Sequence, residues 1–484
     1  MNAFDALLAR AQPGYEVGVQ AAVSSLQGSF GPGRLDHVQE DQLAEALTLL
    51  LEQGPVSAAD SQSAVIIRDL QVLEWWCGLA MSDEVKARLA RVLRRDYRLQ
   101  IEAAGLKRPK PDVAARRCHV VFVGTLGSPL HSPSVAAVGY LRALASDVKT
   151  RRIDVYHYGP IDPNLAVEME AQLPSTPTIR FHQIEEHPDF LVKAVLSAPC
   201  TYHFWCYPRM NIDYSFMALF GPTVMFTCAD DPPMQYADVF WSAQTPEHVA
   251  RLWASAPDGF RENYVRCQGG NFRLKPPVNL RTKRDLGLTD GDLLLATVGN
   301  RLSVDLDEPF VTGVEKALRA RPSCHWLVVG ALPEGLLGAM RTVLGRQFHH
   351  IRLEPDLAGL MPAADLWLNP FRRGGGHSAV IASVAGAPVL TRGDLGDVAS
   401  CVPAEHWTAD AADYFVTLDR LLDNAEERAE WRAAQQAFMA AWLDPALYVS
   451  EIDRLVSIAF ERFRARARAP LDLIFPDAKA AAAA

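Results

Sequence analysis

Five residues, Gly374-Gly375-Gly376-His377-Ser378, stand between a strand-like stretch, Ala364 to Pro370, and a helix-like one, Ala379 to Gly386. A strand that ends in glycines and turns into a helix gathers unpaired backbone N–H groups and the positive end of a helix dipole at one point. That is the chemistry of a phosphate or diphosphate site. His377 and Ser378 fall at the helix mouth, where an imidazole and a hydroxyl can donate hydrogen bonds to phosphate oxygens. A tight turn with no ligand would use the same glycines, so the rest of the chain has to decide between the two readings.

At 484 residues the chain is too long for one ordinary hydrophobic core, and two or three domains are expected. Its hydrophobic content of 49% with 22% charged residues is that of a globular protein. A net charge of -9 weighs against a nucleic-acid partner, which calls for a basic excess or a strongly basic face. The basic stretch Arg462 to Arg468 reads as a solvated helix face. The first residues carry an acid, Asp5, and lead into no unbroken apolar run, so no secretory signal is expected. No run is long and apolar enough to cross a bilayer, and a cytoplasmic location is the expectation. The eight cysteines are scattered without Cys-x-x-Cys pairs or zinc-type histidine spacing, which predicts reduced thiols and no metal site.

Residues 1–110 read as an all-helical N-terminal domain. Asp41 can cap a helix over 42–53 with Leu43, Ala46, Leu47, Leu50 and Leu51 at helical spacing, and Gly54-Pro55 stops it. A second helix is expected over 65–79 and a third after Ser82, carrying Val85, Leu89 and Val92. Trp75-Trp76 are expected to pack against the body that follows, and Lys107 to Pro111 to act as a linker. From Cys118 the pattern changes to strands alternating with helices, which predicts a Rossmann-like domain over 111–280 with a parallel sheet covered on both faces. Its strands are expected over 119–124, 153–158, 179–183 and 223–228. After the break at Lys275-Pro276-Pro277 the alternation restarts, giving a second Rossmann-like domain over 281–445. Its strands are expected over 293–298, 326–329, 351–353, 366–368 and 388–390. A closing helix within 446–470 is expected to cross back onto the first α/β domain. In a dinucleotide dehydrogenase the glycine turn follows the first strand of its domain, whereas here it follows one of the last, which weighs against that class.

Two α/β domains with a late phosphate loop resemble a GT-B glycosyltransferase, and more narrowly the O-GlcNAc-transferase-like group with its bacterial relatives that glucosylate asparagine in adhesins. The landmarks, in order, are Gly127 to Ser134, Leu219 to Phe226, Ala296 to Arg301, Leu366 to Gly376, and Ala385-Gly386-Ala387-Pro388. The resemblance covers roughly residues 117–440. It implies a fold of two Rossmann-like domains behind a helical N-terminal domain, with a nucleotide-sugar held in the cleft between them. The chain departs from the group at Ile381, where an acid would bind the nucleotide ribose. It departs again at Arg301, where a lysine is common and where a guanidinium can still bind a diphosphate.

In that setting the donor-binding candidates are Asn300, Arg301, Gly375, Gly376, His377 and Ser378. The candidates for a general base are His131, in the loop after the first strand, and Asp230 and Asp231, after the strand ending at Cys228. Turn-capping is the competing role for the two aspartates. Tyr202 to Tyr207 can stack on a sugar or cover an acceptor peptide, or form a core strand. Asp305-Leu306-Asp307 has the form of a metal-binding pair in the other glycosyltransferase fold, but it precedes a helix, so Asp307 reads as an N-cap and no metal is expected. The expected function is transfer of a hexose-type sugar from a UDP-sugar to a protein side chain (Asn, Ser or Thr), with inversion and no cofactor. The alternatives are a lipid-linked or polysaccharide acceptor, a sugar-nucleotide epimerase, and a catalytically silent binding module.

Overall fold

A computed structural model describes residues 3–11, 16–30, 35, 37–53, 63–82, 84–89, 91–92, 95, 110–129, 131–184, 199–205, 217–227, 233, 236–254, 256, 259–270, 274–372, 374–394 and 396–466. At 64, 65, 68, 71, 75, 76 and 158 only the backbone is described, so the packing expected of Trp75-Trp76 lies outside the described residues. The chain divides into two compact units, one from Met1–Asn271 together with the segment beginning at Pro445, the other Phe272–Asp444.

The first unit opens with four helices, α1 (Ala3–Ala9), α2 (Glu16–Phe30), α3 (Glu40–Gln53) and α4 (Ser63–Cys77). Helix α3 starts earlier than the sequence predicts. Asp41 therefore lies inside its first turn beside Glu40, where a carboxylate favours the helix dipole, and does not cap it. The expected cap at Ser82 is present, its Oγ accepting the Val85 amide at 3.2 Å.

Seven parallel strands follow, β1 (Cys118–Thr125), β2 (Arg152–Tyr158), β3 (Thr178–Ile184), β4 (Thr201–Phe204), β5 (Thr223–Phe226), β6 (Val239–Ser242) and β7 (Tyr264–Arg266), in the order β3-β2-β1-β4-β5-β6-β7. The run Val120-Val121-Phe122-Val123 is apolar throughout because both faces of this sheet are covered. Period-two alternation divides the strand: Val120 and Phe122 join one buried cluster with the apolar side chains of α1 to α4, among them Leu7, Leu26, Leu47 and Leu70. Val121 and Val123 join another with Leu141 and Leu144 of the helix Ser132–Ser146 and with Ile452, Leu455 and Ala459 of the C-terminal helix Pro445–Arg466. That last helix is fastened to the first unit by a buried ion pair. Arg466 donates to both oxygens of Asp238, at 2.5 and 2.7 Å, and Asp238 also accepts the Thr223 amide and hydroxyl.

Tyr202, His203, Phe204 and Trp205, of the aromatic stretch read either as a sugar platform or as a core strand, are core: each is 4% exposed or less. His203 lies in a buried chain of hydrogen bonds, with its Nε2 3.0 Å from His119 Nδ1 and its Nδ1 2.7 Å from the Tyr140 hydroxyl. His119 Nε2 in turn is 3.3 Å from Thr150 Oγ1. A single proton bridges the two rings, so at most one of them can be charged. Burial pulls His119 down to about 4, and burial together with the neighbouring His119 pulls His203 well below the ordinary histidine range.

The second unit carries six parallel strands, β8 (Leu293–Val298), β9 (Cys324–Val329), β10 (Phe348–Ile351), β11 (Leu366–Leu368), β12 (Val389–Arg392) and β13 (Trp407–Thr408), in the order β10-β9-β8-β11-β12-β13. Leu295, Leu366 and Leu368 face a cluster with Phe310 and Val314 of the helix Glu308–Arg319. Leu294, Ala296 and Trp367 face the opposite cluster, with Ala379, Val380 and Ala382. Strand β10 starts three residues before its expected position: Leu353 is 68% exposed, while His349, outside the expected strand, bonds His325 on β9 at 3.1 Å. Asp307 caps the Glu308–Arg319 helix as expected, accepting the Phe310 amide at 2.9 Å. Among the described residues no helix is long and apolar enough to cross a membrane.

The neutral His119–His203 pair makes stability acid-sensitive. The unfolded chain takes up protons at an ordinary histidine pKa of 6.5, whereas folded His119 does so only near 4, so stability falls as pH drops through that window. At pH 5 the loss is about 2 kcal/mol for one such histidine. Urea unfolding at pH 7.5 and pH 5 should register at least that loss in wild type and less in a His119→Gln variant; equal losses would contradict the assignment.

Candidate nucleotide-binding site

In an open parallel sheet, ligands bind beyond the carboxyl ends of the strands where the strand order reverses. In the second unit that point lies between β8 and β11, which are direct neighbours. The segment after β8 carries Asn300, exposed, and Arg301, half-buried at the start of a short helix, Leu302–Asp305. The segment after β11 carries the glycines and leads into the helix Gly376–Ala385. All six residues expected to bind a donor therefore sit at the ends of two adjacent strands.

Each glycine of the run has a specific reason to be there. Gly374 and Gly375 have φ of 97° and 100°, left-handed values that side chains disfavour. Gly376 is helical, and a Cβ there would come within 2.6 Å of the Asp397 carboxylate. The helix closes as the Ala-Gly-Ala-Pro turn suggests, with Gly386 at φ 91°.

Beneath the turn lies a side chain the sequence reading passed over. Arg372 is 6% exposed, and all three of its nitrogens are used. Nη1 pairs with Asp305 Oδ2 at 3.0 Å, Nη2 donates to the Val298 carbonyl at 2.6 Å, and Nε donates to Asn369 Oδ1 at 3.3 Å. Asn369 in turn donates to Thr391 Oγ1 on β12 at 3.2 Å. A Cβ at Gly299 or at Gly375 would collide with this guanidinium, so it fills the space between the two strand ends. Asp305 holds Arg301 through its other oxygen, Oδ1, at 3.1 Å from Nη2. The fork expected to reach a diphosphate is thus already braced by a carboxylate.

The helix mouth differs in two respects from the sequence reading. The Ser378 hydroxyl is not presented to a ligand: it donates to the Gly375 carbonyl at 3.0 Å, turned back within its own first turn. The Gly376 amide donates to Asp397 Oδ2 at 3.1 Å, a tertiary cap from the helix Gly396–Ala399 where Gly375 has no side chain to supply one. Asp397 Oδ1 is buried with no hydrogen-bond partner among the described residues, and burial raises this carboxyl above its ordinary range. Burial pulls His377 down to about 4, so at neutral pH the ring is uncharged, one nitrogen a donor and the other an acceptor. Ile381 packs half-buried against the apolar cluster of this helix. Among the described residues, the two guanidiniums of Arg301 and Arg372 are balanced by the two carboxylates of Asp305 and Asp397.

In the first unit, the reversal of strand order lies between β1 and β4, and His131 follows β1. Its Nδ1 lies 2.6 Å from Ser134 Oγ. That hydroxyl donates its one hydrogen to the Thr125 carbonyl at 3.0 Å and accepts the Gly127 amide at 2.9 Å. Nδ1 must therefore carry the ring proton, which leaves the lone pair on Nε2. Burial lowers the His131 pKa, so the ring is neutral near pH 7. Asp230 and Asp231 lie outside the described residues. Among the described residues no group of three His, Cys, Asp or Glu side chains is placed to hold a metal ion.

Two parallel sheets, each reversing its strand order at its centre, are the two Rossmann-like domains of the GT-B fold. Among solved structures the chain is similar to a mutant of the Thermobaculum terrenum O-GlcNAc transferase, at 16% identity and a TM-score of 0.58, over 96% of this chain and 99% of that one. HepE of Anabaena, solved in complex with UDP and glucose, is similar at 12% identity and a TM-score of 0.51, over 70% of this chain and 99% of the other. A glycosyltransferase from Rickettsia africae is similar at 8% identity and a TM-score of 0.50, over 71% and 98%. No protein-family model matches the chain, and no curated protein sequence does.

Removing Arg372 leaves Asp305 buried beside Arg301 alone and opens the space between Gly299 and Gly375. Arg372→Met should cost about 3 kcal/mol or more, the scale for breaking a buried pair from one side. Denaturant unfolding of the variant measures it, and a loss under 1 kcal/mol would mean that the pair does not hold the strand ends.

Proposed function

We propose that the protein is a glycosyltransferase that moves a hexose-type sugar from a UDP-sugar to an acceptor, with a protein side chain (Asn, Ser or Thr) as the favoured acceptor. The observation that carries the reading is the meeting of two adjacent strand ends at the switch point of the second unit, where a glycine turn opens a helix beside a braced arginine pair. This is where a diphosphate gains most from backbone amides and guanidiniums. HepE, similar in fold, binds UDP and glucose, which supports a nucleotide-sugar as the donor.

In the proposed reaction the acceptor atom bonds to the anomeric carbon as the bond from that carbon to the diphosphate oxygen breaks, and the electron pair leaves on UDP. Arg301 and the first-turn amides at His377 and Ser378 stabilise the charge growing on the leaving group. His377 donates one further hydrogen bond. A single displacement of this kind inverts the anomeric centre and needs a base for the acceptor proton. His131 offers a neutral ring with a free Nε2 lone pair, its proton fixed on Nδ1 by Ser134. No step in this scheme calls for a metal or a cofactor.

A catalytically silent binding module is the second reading, favoured by Ile381 in place of an acid and by the carboxylate already on the Gly376 amide. Release of UDP from a panel of UDP-sugars, with cell lysate as the source of acceptor, separates the two. Turnover should fall at least tenfold in His377→Ala, and mass spectrometry should find a hexose on protein. Absence of release with every donor would leave the binding module, and conversion of a UDP-sugar without an acceptor would make the protein an epimerase.

A further inference from the structure

The Gly376 amide, the first N–H of the helix at the glycine turn, is held in this structure by Asp397. A phosphate oxygen at that helix end competes for the same N–H as the neighbouring first-turn amides draw it in, and two anions cannot share it. We propose, building on the donor reading above, that Asp397 sets the affinity for the nucleotide diphosphate: its carboxylate stands where a phosphate oxygen binds, and the donor enters by displacing it.

Three features of the site favour displacement over a permanent cap. The carboxylate reaches the glycine turn through Oδ2 alone, while Oδ1 is buried with no partner at hydrogen-bonding geometry among the described residues, so moving to water gives that oxygen the partners it lacks. Burial also raises its pKa, so the charged form is held against its preference for solvent. The site's charges point the same way. Asp305 is bound to two arginines and cannot leave without stranding both, whereas Asp397 feels Arg372 only through space and makes no direct contact with it. Among the described residues Arg301, Arg372, Asp305 and Asp397 the charges cancel, and with Asp397 withdrawn the two guanidiniums outweigh Asp305 by one positive charge. The glycine at 376 fits this use, since a Cβ there would keep a carboxylate from approaching the amide so closely.

Asp397→Asn tests the idea, because its amide oxygen can still cap Gly376 while the negative charge is gone. Calorimetric titration of the full chain with UDP and with uridine should give UDP affinity about tenfold tighter in Asp397→Asn and in Asp397→Ala than in wild type, with uridine unchanged. Thermal melts identify a variant that has lost its fold, and the other variant then decides. Wild type that binds UDP, with neither folded variant binding it more tightly, overturns the role of Asp397 and leaves the donor site standing. Wild type that binds no UDP overturns the donor site, and the role of Asp397 with it.

Discussion

The buried guanidinium of Arg372 ties together two strand ends that are far apart in sequence. Its partners at Asp305 and Val298 lie 67 and 74 residues before it, and without it nothing of similar size fills the space between Gly299 and Gly375. Because Asp305 takes one arginine on each oxygen, the position of Arg301 depends on Arg372. The glycine turn depends on it as well, since the loop between β11 and its helix folds over a planar group with every nitrogen engaged. A planar fork suits this place better than a lysine, which would offer a single charged point to three acceptors in different directions.

Much of the fold was legible because parallel strands buried on both faces are written as unbroken apolar runs, as at Val120 to Val123 and Leu293 to Val298. Helix starts were legible where a side-chain cap marks them, as at Asp307 and Ser82. The short edge strands β7 and β13 carry no such run, and β10 begins earlier than expected because it takes in Phe348, His349 and His350, the second of which lies against His325 across the ladder. At the site, the glycines and the residues after β8 could be found from strand-turn-helix order alone. Arg372 and Asp397 could not, because their roles are set by partners distant in sequence. The adjacent arginines before Gly374 were a signal that the loop has a use for positive charge. The direction of the Ser378 hydroxyl was undetermined by its type, since a hydroxyl at a helix mouth can turn outward or back onto the first turn.

The two units carry different chemistry on a similar plan. At the switch point of the first, a neutral imidazole has its tautomer fixed by a hydroxyl that is itself fixed by the backbone. At the switch point of the second, the described charged side chains pair off and a helix end adds positive potential. A site balanced in this way suits a ligand that brings its own charge and must also leave, as UDP would in the proposed transfer.

The most direct measurement is the structure of the protein crystallised with UDP. The diphosphate should lie at the start of the Gly376–Ala385 helix, with oxygens within hydrogen-bonding distance of the Ser378 amide and of Arg301. UDP bound elsewhere on the chain, with that helix end unchanged, would contradict the placement of the donor.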